Sequence, residues 1–338
     1  MLEHGGKLIQ AAHRYNIPVD QWLDLSTGIN PNPWPVNMVP IDAWSRLPDE
    51  NDGLIKAARH YYGADQLLVV AGSQAAIQAL PRLRQTTSRI AILEPAYAEH
   101  AHAWQSNGFV VTALSATEID HAIDGHDVVL LINPNNPGGE TFSVEQCLSW
   151  HKRLQQRGGW LIIDEAFIDC TPQHSLVAHT QQQGLIVLRS LGKFFGLAGA
   201  RVGFVFAQQN LLTQLADLLG PWPVSGPSRC IAKLALRDTP WQTNTRQQLK
   251  IQGQRLQQLL SENNLQPSGG SSLFHWIKTN RACVIHEQLA QQGILTRLFE
   301  QPASLRFGLP ASEQQWSRLE RALSSLAIDN KTSCEAQQ

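Results

Sequence analysis

Between about residues 50 and 235, short unbroken apolar runs alternate with stretches whose apolar residues recur at helical spacing. The runs occupy 67–71, 89–93, 128–132, 160–163, 185–188 and 202–206, each of strand length and each flanked by turn or capping residues. Continuous rather than alternating apolar character predicts strands covered on both faces, hence a mainly parallel sheet with helices above and below. The fold class expected is α/β. Near 238–241 the pattern changes to a long Gln- and Arg-rich helix reaching about 263. A smaller α/β set follows, with a strand at 273–277, a helix near 283–292, segments at 293–298 and 304–308, and a last helix through Leu326. The expected organisation is an N-terminal arm at 1–45, a large domain at 46–237, a small domain at 238–328 and a polar tail at 329–338.

Ligands of such sheets gather beyond the carboxyl ends of the strands, so the residues after each run carry the chemistry. Gly72-Ser73-Gln74 follows the first run, Glu94-Pro95-Ala96-Tyr97 the second, and Asn133-Pro134-Asn135-Asn136-Pro137-Gly138-Gly139 the third. Next come Asp164-Glu165-Ala166-Phe167, then S-L-G-K-F-F-G-L-A-G-A-R-V-G from Ser190 to Gly203. Lys193 in that last segment is enclosed by Gly192, Phe194, Phe195 and Gly196. Desolvation favours a neutral amine, the form that attacks a carbonyl to make a Schiff base. A solvated surface lysine is the competing reading. A nucleotide phosphate loop is excluded, because Val187 and Phe194 stand where it needs Gly and Ser or Thr.

Pyridoxal phosphate requires a lysine, a carboxylate for its pyridine nitrogen and donors for its phosphate. Asp164, directly after an apolar run, would if buried need a cationic partner such as a pyridinium; an exposed helix cap is the alternative. The glycine turn at Gly72, with Ser73 and Gln74 opening a helix, suits an anion, and Ser190 and Arg201 add a hydroxyl and a fixed charge. Tyr97 could stack on a ring or pack in the core.

With 27 basic and 28 acidic residues, the chain has no field to draw in nucleic acid or an anionic membrane. Five dispersed cysteines, Cys147, Cys170, Cys230, Cys283 and Cys334, suggest reduced thiols and a cytoplasmic protein rather than a disulfide frame or zinc site. Residues 1–15 carry His4, Lys7, His13 and Arg14 without an apolar core, so neither a signal peptide nor an anchor is expected there. No metal motif includes His100, His102 or the other histidines, which read as surface or packing residues, and no metal is expected.

The ordered motifs G-S-Q-A-A-I, E-P-A-Y, N-P-N-N-P-G-G, D-E-A-F and the Lys193 segment resemble the class I/II aminotransferases of fold type I, over nearly the whole chain. The resemblance implies pyridoxal 5'-phosphate as cofactor and a homodimer. It assigns Lys193 to the Schiff base, Asp164 to the pyridine nitrogen, Asn136 to the phenolic oxygen and Tyr97 to the ring face. Gly72, Ser73, Gln74, Ser190 and Arg201 would hold the phosphate, Arg306 in S-L-R-F-G the substrate carboxylate, and Arg297 a substrate phosphate. Within the superfamily the chain looks most like the threonine-phosphate decarboxylases of cobalamin synthesis, through His4-Gly5-Gly6, D-L-S-T-G-I-N-P with Asn30, and D-E-A-F-I-D. His4, Gly5, Gly6 and Asn30 are accordingly expected at the substrate. Phe167 replaces a usual tyrosine, Leu47 a tyrosine that reaches the neighbouring subunit, Gly138 a threonine and Gly192 a hydroxyl residue. An aminotransferase acting on histidinol phosphate shares every cofactor residue, and a non-catalytic protein that kept the fold is the alternative of another class.

Overall fold

The computed structural model describes residues 5–36 and 38–326. All six apolar runs form strands of one seven-stranded sheet: β1 (Leu68–Val70), β2 (Ile90–Leu93), β3 (Val111–Leu114), β4 (Val128–Ile132), β5 (Trp160–Asp164), β6 (Leu185–Ser190) and β7 (Gly203–Phe206). Their order is β1-β7-β6-β5-β4-β2-β3. Pairing is parallel from β6 across to β3, whereas β7 runs antiparallel to both of its neighbours. Every residue of β2 and β4 is buried, as their unbroken apolar character requires. The seventh strand, β3, escaped the sequence pattern. It lies at the sheet edge with Thr112 and Ala113 exposed, so it needs no unbroken apolar run.

Side chains alternate between the two faces of a strand. Ile90, Ile92, Val128, Leu130, Ile162, Ile186 and Leu188 share one apolar layer with Ile77 and Trp104, which come from helices Ser73–Ala79 and Glu99–Ser106. Burial of each such large side chain stabilises by about 1.5–3 kcal/mol. The same alternation directs Asp164 and Ser190 to this face and Glu165 and Arg189 to the other.

The chain clusters into two compact units. One holds Pro33–Asn136 and Glu140–Arg246; the other holds the described residues up to Asn32, Pro137–Gly139 and the chain from Gln247. The second unit contains an antiparallel sheet ordered Arg297–Phe299, Ser304–Gly308, Phe274–Lys278, Gly269–Ser271. Leu23–Asp24 pairs in parallel with Ile294–Leu295, so the N-terminal segment folds with the end of the chain. Gly139, at φ +78°, lies where a Cβ would overlap the Gly270 backbone, and a Cβ on Gly269 would overlap the Gly138 carbonyl. The long helix expected from 238–241 to about 263 spans Thr239–Glu262. Among the described helices none is long and apolar enough to cross a membrane. The expected polar tail lies outside the described residues.

Candidate active site

The carboxyl ends of β4, β5 and β6 open into a cavity of about 140 Å³ in the larger unit. Ser73, Gln74, Tyr97, Asn136, Asp164, Ser190, Lys193 and Arg201 all line it, so residues spread over 129 positions converge on one space. Ile132, Ala166, Phe167, Gly192 and Ala198 complete the wall.

Asp164 ends β5 and is 3% exposed, so it is not a solvated cap. Its Oδ1 accepts from the Ala166 N–H at 3.0 Å, and its Oδ2 lies 2.9 Å from His100 Nε2. An ionised carboxylate only accepts, so the hydrogen of this pair is carried by Nε2. His100 is itself 1% exposed. The surface reading of this histidine is therefore corrected: it is a buried brace for Asp164. The signal lay in spacing, since His100 falls one helical turn after Tyr97 in Glu99–Ser106, and the two rings meet edge-on at 6.1 Å.

Gly72 sits at φ +70° and precedes helix Ser73–Ala79, whose first N–H groups have no side-chain cap. A Cβ on Gly72 would stand 2.6 Å from Arg201 Nη2, so only glycine lets the guanidinium settle against this turn. Arg201 in turn holds a left-handed backbone at φ 51°, rare for a residue with a side chain. Ser190 Oγ accepts from the Gly192 N–H at 3.1 Å, which leaves its hydroxyl hydrogen to donate. The Gln74 side chain is tied elsewhere: it donates to Glu99 at 2.8 Å and accepts from the Tyr97 hydroxyl at 3.2 Å. Its backbone N–H is what it can offer an anion. Burial, then Glu99 and Asp164, push the Tyr97 phenol up to about 12, so it stays neutral.

The asparagines of N-P-N-N divide their tasks. Asn133 exchanges two hydrogen bonds with the Phe142 backbone, and Asn135 donates to the Pro95 carbonyl and Glu140. Asn136 is the one that lines the cavity. Lys193 is half-buried, with its Nζ 5.5 Å from the centre of the Phe167 ring. Behind it Phe194 and Phe195 are fully buried and pack on Trp241, which fixes the loop that carries the lysine.

Pyridoxal phosphate fits this donor set. A buried carboxylate matches a protonated ring nitrogen, an amine matches its aldehyde, and the Gly72 turn with Ser190 and Arg201 matches a dianionic phosphate.

The other expected residues belong to the second unit. Arg306 and Arg297 face each other directly across two strands. Arg306 is 6% exposed and donates from Nη2 to the Ser26 carbonyl at 2.7 Å. Burial, then Arg297, lower its pKa to about 10 against the opposing pull of Asp24. Gly5 lies against the same Ser26, where a Cβ would overlap the carbonyl, and the Gly6 N–H donates to Ser26 Oγ at 2.7 Å. Buried Asn30 accepts from the Asn32 N–H in a turn. Ser26 thus joins Gly5, Gly6 and Arg306, a convergence no spacing announced. His4 lies outside the described residues.

The family model for aminotransferase class I and II matches residues 47–326. The chain belongs to the class I and II aminotransferase family. Within the family, a threonine-phosphate decarboxylase of Pseudomonas aeruginosa is 55% identical over 96% of this chain and 97% of that protein. A histidinol-phosphate aminotransferase of Shewanella amazonensis is 30% identical over 90% of this chain and 89% of that protein. The crystal structure of L-threonine-O-3-phosphate decarboxylase from Porphyromonas gingivalis matches with a TM-score of 0.76 at 18% identity, covering 89% of this chain and 98% of that one. The expected α/β fold of fold type I is the fold observed.

Proposed function

We propose that this chain is a pyridoxal-phosphate-dependent decarboxylase that converts L-threonine O-3-phosphate and a proton to CO2 and (R)-1-aminopropan-2-yl phosphate. The observation that carries it is the 55% identity, over 96% of the chain, to a threonine-phosphate decarboxylase. The product suits the nucleotide-loop linker of cobalamin, the pathway the resemblance implies.

Lys193 would hold the cofactor covalently, Asp164 its ring nitrogen, Asn136 its phenolic oxygen, Tyr97 its ring face, and Gly72, Ser73, Gln74, Ser190 and Arg201 its phosphate. When bound, the cofactor supplies an electron sink for the pair left on the substrate as CO2 departs. Asp164, excluded from water and braced by His100, would be the partner of a protonated ring nitrogen. Arg306 binds the substrate carboxylate, and Arg297, Gly5 and Gly6 serve the phosphate end, joined by His4. Asn30 shapes the segment beside them. Lys193 Nζ would return a proton to the substrate's α-carbon.

A homodimer is part of this reading. Met38, Ile41, Trp44 and Leu47 are 67–95% exposed along one short segment, and Trp222 is 55% exposed, so it is not a core residue. Apolar surface concentrated in this way suits a second copy. A cytoplasmic location is proposed from the cysteine usage alone.

The test is incubation of the holoenzyme with threonine O-phosphate without any 2-oxoacid. Mass spectrometry is expected to find the aminopropanol phosphate with stoichiometric CO2. Turnover that starts only on adding 2-oxoglutarate would instead establish the aminotransferase alternative.

A further inference from the structure

Ser190 lines the cofactor cavity, and its neighbour Arg189, on the opposite face of β6, lines a second cavity of about 280 Å³. Helix Leu54–Tyr62 supplies Tyr61 and Tyr62 to this space, and helix Thr239–Glu262 supplies Gln242 and Arg246. None of the described residues lining it is acidic.

Arg189 is 2% exposed and directs Nη1 to Glu165 and Nη2 to Asp169. Its Nε is buried without a hydrogen-bond partner among the described residues, and so is the hydroxyl of Tyr62. Arg246 is different. It donates to the Asp169 main-chain carbonyl at 2.9 Å and to the Tyr61 hydroxyl at 3.1 Å, and no described carboxylate lies within ion-pair distance of it. Gln242 is 3% exposed, and its Nε2 is tied to the Ala235 and Leu236 carbonyls, so its oxygen is fixed as an acceptor. A buried donor left without an acceptor is destabilising, and Arg189 and Tyr62, two of the lining residues, each carry one, beside a cation whose described partners are neutral.

We infer that this second cavity binds a phosphate group, paired with Arg246, accepting from Arg189 Nε and the Tyr62 hydroxyl, and donating its P–OH to Gln242. A carboxylate lacks that hydrogen and fits the set less well. The site is separate from the cofactor cavity, with which it shares no lining residue. It is also one contact from the reactive lysine, since the Arg246 guanidinium lies 5.3 Å over the ring of Phe194, the residue after Lys193.

The probe is inorganic phosphate, titrated into the holoenzyme at constant ionic strength while the melting temperature is followed, with acetate in a parallel series. A saturable rise with phosphate that exceeds the acetate response is expected. Tyr62→Phe removes a hydroxyl that has no described protein partner, so it should fold as well as the parent and bind phosphate about tenfold more weakly. Arg246→Gln should lose the saturable response. No saturable rise, or unchanged phosphate affinity in Tyr62→Phe and Arg246→Gln, overturns the site. A response abolished by Arg297→Gln but kept in Tyr62→Phe also overturns it, because phosphate would then occupy the substrate's own position.

Discussion

Arg189 and Arg306 are buried almost equally, at 2% and 6% exposed, one in each unit, and their surroundings are opposite. Burial alone would pull the pKa of Arg189 down, yet Asp169 and Glu165 more than reverse this and raise it. Arg306 has a second arginine across the strand, and burial together with Arg297 lowers its pKa to about 10. A cation whose charge is matched inside the chain serves the fold, and removing it strands its partners. A cation set beside another cation is made more stable by an anion arriving from outside. The contrast separates a residue that holds this protein together from one proposed to hold its substrate.

Lys193→Ala should have the largest effect. Activity should fall by at least ~10³–10⁴-fold, the range for losing a covalent and proton-transferring group, with loss of the yellow, borohydride-reducible cofactor. The half-buried lysine is not part of the Arg189–Glu165–Asp169 cluster, so the melting temperature of the apoprotein should fall far less than on loss of Arg189. A parallel loss of stability would show that the site and the fold are not separable here.

The two arginines then give mirror-image outcomes. Arg189→Met leaves Glu165 and Asp169 buried without a cation and should cost about 3–5 kcal/mol, read from the urea midpoint. Arg306→Met should leave the midpoint nearly unchanged and raise KM about 10–100-fold, the loss of a charge-assisted contact to the substrate carboxylate. Equal destabilisation by both substitutions would break the comparison.

The legible part of the fold was the buried part. Unbroken apolar runs read as strands covered on both faces, whereas half-exposed β3 carried no such pattern. In the cavity, Lys193 and Asp164 were legible because a charged residue at, or a few positions beyond, the carboxyl end of an apolar strand demands a reason. Gly5, Gly6 and Arg306 were nameable one at a time, but their meeting at Ser26 depends on a two-residue strand pairing, Leu23–Asp24 with Ile294–Leu295, too short to leave a signature. His100 was left open between surface and packing because its burial follows from the tertiary position of its helix, which a lone histidine does not announce.

His100 tests whether a buried hydrogen-bonding brace matters as much as a matched charge. His100→Gln keeps a donor near Asp164 and should lower kcat/KM a few-fold, whereas His100→Phe removes the donor and should lower it about tenfold, as second-layer supports of a reacting group commonly do. Both should change the pH dependence of the bound cofactor's absorbance. A decrease in activity with an unaltered absorbance titration would mark His100 as packing alone.

The smallest expected effect comes from pH. A guanidinium is charged below its pKa and neutral above it, so with Arg306 at about 10 the recognition of a carboxylate should be complete below about pH 9 and decline as pH rises through 10. The limb should appear in kcat/KM, which reports the free enzyme. Tyr97, held at about 12, remains a neutral phenol across that window and cannot produce it. Arg297→Met removes the second cause of the depression, so the limb should move to higher pH even though overall affinity for a phosphorylated substrate falls. A limb that stays in place would mean that the neighbouring cation does not set the charge of Arg306, and the contrast with Arg189 would then rest on burial alone.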